Sequence, residues 1–391
     1  MSSESNYEPR PFQLLGQFSA PSRPTDETIR QTFGKFWQSL RRESEDPFLT
    51  DNALRVANTK KLDRIVPPPA CGPLLSDMRA TFDQWAQEPD PNHALQLVVL
   101  PPCDHSNVVG SWAKQAGYAI VDPPPRLQRL GASGAVNLPD LSSIPGNVLV
   151  IPRLEYWFLR RRNGLDVLRR LLEKLALLDR HCVIGCNSWA WSFFEKTLGA
   201  DLIFPHGVTL QAFDALRLHQ WFSEIVQNGE AEGKVFRLCK NGQDILALNG
   251  GSDKLKSDFL ATLAAKSLGI PWVAWHMWRS SLRYGPKDNA RIANKFPNEE
   301  TLWVTHEDDF QIPKTHASLA LLTLHAILLH HALTAEEMMQ VLPTARESNV
   351  LYSLLSTNLV QLDGEQYSCV PAAYPSIRQA LANAGFPLDR L

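Results

Sequence analysis

Apolar and polar positions along the chain follow two regimes, and the change between them falls near residue 64. Residues 1–63 are polar and proline-punctuated. Within them only 25–42 is amphipathic, with Ile29, Phe33, Phe36, Trp37 and Leu40 at helical spacing, so this part reads as an arm carrying one helix. The run Pro67-Pro68-Pro69 stiffens the chain before a second predicted helix over 74–87. Continuous apolar runs then alternate with amphipathic stretches. Residues 95–100 (LQLVVL), ended by Pro101-Pro102, suit a strand buried on both faces, and 106–117 a helix. Further strands are predicted at 119–121, 147–151 (NVLVI), 182–185 and 201–204, with helices at 165–178 and 189–198. In the first of these helices leucines recur every three to four residues beside Arg169, Arg170, Glu173 and Lys174. Strands and helices alternating in this way predict a parallel sheet covered on both faces.

The pattern changes beyond residue 209. A long helix is expected at 210–227, and the runs 235–239 and 244–248 read as a hairpin turning at Asn241-Gly242. After Gly250-Gly251 the periodicity is helical. From residue 319 come three helices, the second at 334–342 and the third at 348–357, and then a hairpin over 358–370 turning at Asp363-Gly364. Three helices followed by a two-stranded wing are the order of a winged helix.

At 391 residues the chain exceeds what one hydrophobic core fills, and two or three units are expected. Its 44% apolar and 20% charged residues are those of a globular protein, and a net charge of −2 excludes any global attraction to nucleic acid or membrane. The longest apolar run, 319–329, is interrupted by His325 and is shorter than the roughly 20 residues a membrane span needs. No membrane span is expected. The opening MSSESNYEPRPF lacks a basic segment followed by an apolar one, so a cytoplasmic location is expected. Six cysteines, Cys71, Cys103, Cys182, Cys186, Cys239 and Cys369, are scattered, which argues for reduced thiols. The cluster His181-Cys182…Cys186 has the wrong spacing for zinc and no second pair, so no metal is expected.

Four segments carry a resemblance. They are 101–108 (Pro-Pro-Cys-Asp-His-Ser-Asn-Val) after the first strand, 151–155 (Ile-Pro-Arg-Leu-Glu) after the third, 185–191 (Gly-Cys-Asn-Ser-Trp-Ala-Trp) after the fourth, and 261–279, where Ser-Leu-Gly-Ile-Pro precedes a helix ending in Arg279. In order and spacing they resemble the additional-strand P-loop ATPases, in the AAA+ and STAND-like group, in a degenerate form. The resemblance implies an α/β fold: a three-layer parallel-sheet core of P-loop NTPase type over 64–232, a hairpin and helical lid over 233–315, and a winged-helix-like domain over 316–391. It also implies that Cys103, Asp104, His105, Ser106, Asn107, Val108, Asn187 and Arg279 line a vestigial nucleotide cleft, with Glu155 the candidate for activating water.

The departures from that pattern are chemical. A phosphate loop needs glycines whose amides turn toward the phosphates, a lysine and a metal-binding hydroxyl. Here Pro101 and Pro102 have no N–H, and Ser106, Asn107 and Val108 stand where glycine, lysine and serine or threonine belong. The next lysine is Lys114, and Arg153 occupies an acidic position. Phosphoryl transfer without these groups loses its main electrostatic stabilisation, so hydrolysis is not expected.

Other readings of the same residues stand beside these. Asn187 is suited to cap the helix that follows it. Arg279 sits beside Trp275 and Trp278 and is suited to stack on them. Arg160-Arg161-Arg162 reads as a solvated cluster or as a contact for phosphate or an acidic protein face. Trp189, Trp191, Trp272, Trp275 and Trp278 read as packing residues. Cys103, Asp104 and His105 contain the residue types of a thiol hydrolase, but sequence neighbours rarely face one another. His325, His330 and His331 do not share one helix face. The third helix of the winged module, with a single Arg346 ahead of it, and an acidic wing supply few cations for DNA. Three functions follow: a non-hydrolysing ATPase-like regulator or scaffold, with a protein partner or self-assembly and no cofactor; a divergent switch that binds ATP or ADP; and a DNA-binding regulator.

Overall fold

The computed structural model describes residues 8–22, 48–49, 54–56, 59–68, 71–88, 94–126, 138–204, 206–228, 233–249, 254–286, 290–296, 299–305, 310–346 and 348–391. The helix expected over 25–42 lies outside the described residues. Two compact units are present. The larger takes in 9–19, 71–211 and 309–391, and the smaller groups 20–70 with 212–308.

The larger unit is α/β. Its strands are β1 (Gln13–Leu14), β2 (Leu95–Leu100), β3 (Ala119–Ile120), β4 (Leu149–Ile151), β5 (Cys182–Asn187) and β6 (Gly207–Thr209), in the order β1-β6-β2-β5-β4-β3. All neighbours pair parallel except β1, which runs antiparallel along the β6 edge. The central strands are the continuous apolar runs because each is covered on both faces; β4 and β5 are buried throughout. Helices α1 (Leu74–Phe82), α2 (Val108–Ala116), α3 (Asp166–Ala176) and α4 (Ser188–Leu198) supply the outer layers. Along α3, Val167, Leu168, Leu171, Leu172 and Leu175 face inward while Arg169, Glu173 and Lys174 are exposed, each full burial contributing about 1.5–3 kcal/mol. The chain walks one way along the sheet from β2 to β3 and then back through β4 and β5 to β6. Right-handed crossovers therefore place α2 and α4 on opposite faces.

The strand expected at 201–204 is corrected. Gly199 ends α4 in a left-handed cap (φ +62°), the chain tightens at once into the 3₁₀ turn Ala200–Leu202, and Leu202 is 84% exposed. The sheet strand is β6, farther on. The sheet also gains β1 from near the N-terminus, a two-residue pairing too short to leave a periodic signal.

The winged-helix module belongs to the same unit. Its elements are α5 (Ala317–His330), β7 (Ala332–Thr334), α6 (Ala335–Val341), α7 (Val350–Ser356), β8 (Val360–Asp363), β9 (Gln366–Cys369) and α8 (Tyr374–Asn383), with the sheet ordered β7-β9-β8. Thr334 and Glu337 form a reciprocal cap on α6, the Thr334 hydroxyl accepting from Glu337 N at 3.1 Å and the Glu337 carboxylate from Thr334 N at 3.0 Å. Gly364, at φ +58°, makes the tight turn of the wing.

In the smaller unit a four-stranded sheet runs Arg55–Val56, Leu282–Tyr284, Glu300–Val304, Lys234–Leu238, the last two pairing parallel. Helices Ala215–Asn228, Phe259–Lys266 and Pro271–Ser281 pack with it around Trp278, whose ring stacks on Phe222 at 4.3 Å. Two expectations are corrected here. The wholly helical pattern after 251 is interrupted by two strands, and the hairpin at 241–242 holds a single antiparallel bridge, Arg237 to Asp244, because the main partner of Lys234–Leu238 is the distant Glu300–Val304. All six cysteines are buried, and no disulfide joins any two of them. No helix among the described residues is long and apolar enough to cross a membrane.

Candidate functional site

Leu100 and Asn187 are register partners at the carboxyl ends of β2 and β5, and the two strands lead to helices on opposite faces of the sheet. Such a switch point is where open α/β sheets take ligands. The neighbouring end of β4 adds Pro152, Arg153 and Glu155, so three of the four segments singled out in the sequence converge on one crevice.

The loop before α2 turns its own carboxylate into that crevice. Cys103 and Asn107 adopt left-handed backbone (φ +66° and +51°), and between them Asp104 is 7% exposed. Its Oδ2 accepts from Val108 N at 2.9 Å and its Oδ1 from the Ser106 hydroxyl at 2.8 Å. Asn107 Oδ1 accepts from Gly110 N at 3.2 Å. A helix N-terminus offers such amides to a phosphate; here the chain's own side chains take them. Arg153 donates to the main-chain oxygen of Asp104 and lies 3.7 Å from Glu155 Oε1. Glu155, 2% exposed, accepts from Asn187 N at 3.2 Å. The space left among these groups is about 20 Å³, enough for one water.

The charges follow the packing. Burial pushes the Glu155 carboxyl above the usual range against the opposing pull of Arg153. Burial also works against the Arg153 charge, but Asp104, Tyr156 and Glu155 outweigh it and hold the guanidinium above its ordinary value.

The sequence candidates separate on this framework. Asp104, Ser106, Asn107, Val108, Asn187 and Glu155 come together. Cys103 is buried beside them, its thiol pushed well up by that burial, while the His105 ring turns toward the winged module, 5.4 Å from the His331 ring and with Nε2 3.4 Å from Gln361 Nε2. With Asp104 turned onto α2, these three residues are not a nucleophile, base and orienting acid. Asn187 Oδ1 accepts from Ala190 N at 2.8 Å, the capping geometry; its Nδ2 is buried and has no partner among the described residues. Arg279 lies in the smaller unit, where it donates to Asp63 at 2.5 Å and sits 5.6 Å over the Trp275 ring. Lys114 is exposed at the far end of α2. Trp189, Trp191, Trp272, Trp275 and Trp278 are all buried. No group of three metal-ligating side chains occurs among the described residues.

Sequence reasoning missed the residues that seat the winged helix. Arg126, a lone arginine closing the run Pro123-Pro124-Pro125, is 8% exposed and donates to Ala332 O at 2.6 Å, His330 O at 2.7 Å and Glu155 O at 3.1 Å, with Glu337 at 3.6 Å. The solvated reading of the arginine run is corrected in part: Arg160 N donates to His330 Nε2 at 3.0 Å and Arg161 to Gln340 at 2.9 Å, so the run contacts the module. His330 in turn stacks on Phe158 at 4.5 Å and bonds Ala326 O through Nδ1 at 2.8 Å. At the other end, buried Asp389 accepts from the Ser188 hydroxyl at 2.5 Å and from Arg378 at 3.0 Å. The only sequence signal among these was at Arg126, a single charge standing after three prolines.

No protein-family model matches the chain. No curated protein matches it either. Among solved structures the chain is similar to Cdc6p from Pyrobaculum aerophilum, at 11% identity over 84% of this chain and 99% of that one, with a TM-score of 0.33. It is similar also to the Aeropyrum pernix ORC1 protein in complex with DNA, at 14% identity over 87% and 96% (TM-score 0.32), and to the Aeropyrum pernix ORC2 protein in ADPNP–ADP complexes, at 11% over 86% and 96% (TM-score 0.29).

Proposed function

We propose that this chain is a non-hydrolysing, ATPase-like regulator or scaffold that acts through protein–protein contacts. One observation carries the reading: in the crevice where the resemblance would seat a triphosphate, Asp104 takes the first amide of α2 and Arg153 is engaged by Asp104 and Glu155. A phosphate entering there would have to displace a carboxylate from its hydrogen bonds and lie beside a second one, Glu155, with no lysine to meet it. The winged module favours a protein partner over DNA. Helix α7 has no cationic residue and exposes Tyr352 (74%), and the wing exposes Leu362 (49%) beside Asp363 and Glu365.

Titration calorimetry with ATP and ADP, with and without magnesium, tests the reading. No saturable heat is expected up to about 1 mM nucleotide, a ceiling that corresponds to roughly 4 kcal/mol of binding free energy. Micromolar binding of either nucleotide sinks it in favour of a divergent switch.

A further inference from the structure

A second, larger space of about 350 Å³ lies between the core loops and the wing, lined by His105, Arg153 and Tyr156 on one side and His331, Asp363 and Ser368 on the other. Its size is that of a small-ligand site. The Ser368 hydroxyl, the His331 ring nitrogens and the Tyr156 hydroxyl line it, and among the described residues none of them makes a hydrogen bond to another side chain. These groups face the open space, so a ligand seated there finds donors and acceptors that no other side chain engages. The rings are set at angles, His331 5.4 Å from His105 and 5.9 Å from Tyr156, forming a flat-walled corner.

The charges restrict what fits. Among the described residues Arg153 is the only arginine or lysine lining the space, and it is engaged by Asp104 O and Glu155. Asp122 and Asp363 line the space and are exposed, so carboxylates stand at its mouth. Burial holds both imidazoles below their ordinary values, leaving each one donor and one acceptor at neutral pH.

We infer that this cavity binds an uncharged, planar heterocycle with mixed donors and acceptors, a nucleobase or nucleoside, and rejects its phosphorylated forms. The inference does not rest on the neighbouring crevice being closed.

The test is calorimetry of the full chain with adenosine, guanosine, cytidine and uridine, with AMP and ATP as anionic counterparts, repeated on Tyr156→Phe and Ser368→Leu. At least one nucleoside is expected to saturate below about 1 mM. Tyr156→Phe is expected to weaken it about tenfold by removing one hydroxyl partner, and Ser368→Leu to abolish it by filling the space. Should Ser368→Leu fail to fold, the isosteric Tyr156→Phe decides alone. The inference is overturned if no nucleoside saturates, if Tyr156→Phe binds as the parent does, or if AMP or ATP binds as tightly as its nucleoside and loses that binding in the same variants. ATP heat that survives both substitutions locates binding in the crevice and counts against the regulator reading instead.

Discussion

Replacing Asp104 by alanine leaves the Val108 amide and the Ser106 hydroxyl without their acceptor and strips a counter-charge from buried Arg153. A loss of about 1–3 kcal/mol is expected by chemical denaturation, with Asp104→Asn losing less because its side-chain oxygen still accepts. A second residue-scale prediction concerns pH. Burial lowers the His325 pKa to about 4, from roughly 6.5 in an unfolded chain. The folded state therefore binds fewer protons than the unfolded one between these values. Its contribution is complete above about pH 6.5 and is lost as the pH falls toward 4, at roughly 1.4 kcal/mol per unit. Glu155 and Asp389, raised by burial, act in the opposite sense. The difference between parent and variant isolates the histidine: His325→Phe, set between Trp189 and Phe386, is expected to flatten the fall in Tm between pH 6.5 and 5. Pro101, Pro102 and the missing lysine could be read as an unfit phosphate loop from the letters alone. That Asp104 turns inward could not, because its direction depends on the left-handed backbone at Cys103 as well as Asn107, and cysteine, unlike asparagine, gives no sign of it.

Strand β5 must let the segment after β4 pass close by, and Gly185 is the residue that allows it. A Cβ there would stand 2.2 Å from the Pro152 carbonyl oxygen. Gly185→Ala is expected to push the 152–155 segment outward, costing about 1–3 kcal/mol or more and detectable by denaturation and by loss of the Asn187 amide's protection in hydrogen exchange. Elements whose pattern repeats over two turns or more, such as α3, or whose runs are continuously apolar, such as β2, were legible with boundaries within about two residues. Those that were not are short and depend on distant partners. Strand β7 has three residues and exists because β9 pairs with it, and Leu282–Tyr284 exists because Glu300–Val304 does. Periodicity cannot report a partner that arrives from tens of residues away.

At the scale of the larger unit, the winged helix is seated by Arg126 from the core side. Arg126→Ala would leave the carbonyls of His330 and Ala332 and the carboxylate of Glu337 without a buried cation, a loss of about 3–5 kcal/mol. The thermal transition of the larger unit is expected to split into two in the variant by calorimetry, with protease sensitivity appearing ahead of α5. The order of helices and wing was legible from the chain, but its seating was not. A proline-flanked arginine and a run of three more look like surface until the fold brings them against α5.

Beside its pairing with Glu337, Arg126 holds three main-chain oxygens, those of Glu155, His330 and Ala332. Those three hydrogen bonds are indifferent to which side chains stand at 155, 330 and 332, provided the backbone path and Glu337 are kept. Substitutions that remodel the wing's outer face for a new partner therefore leave the clasp untouched, and the exterior of this module is free to diversify while its anchorage stays the same.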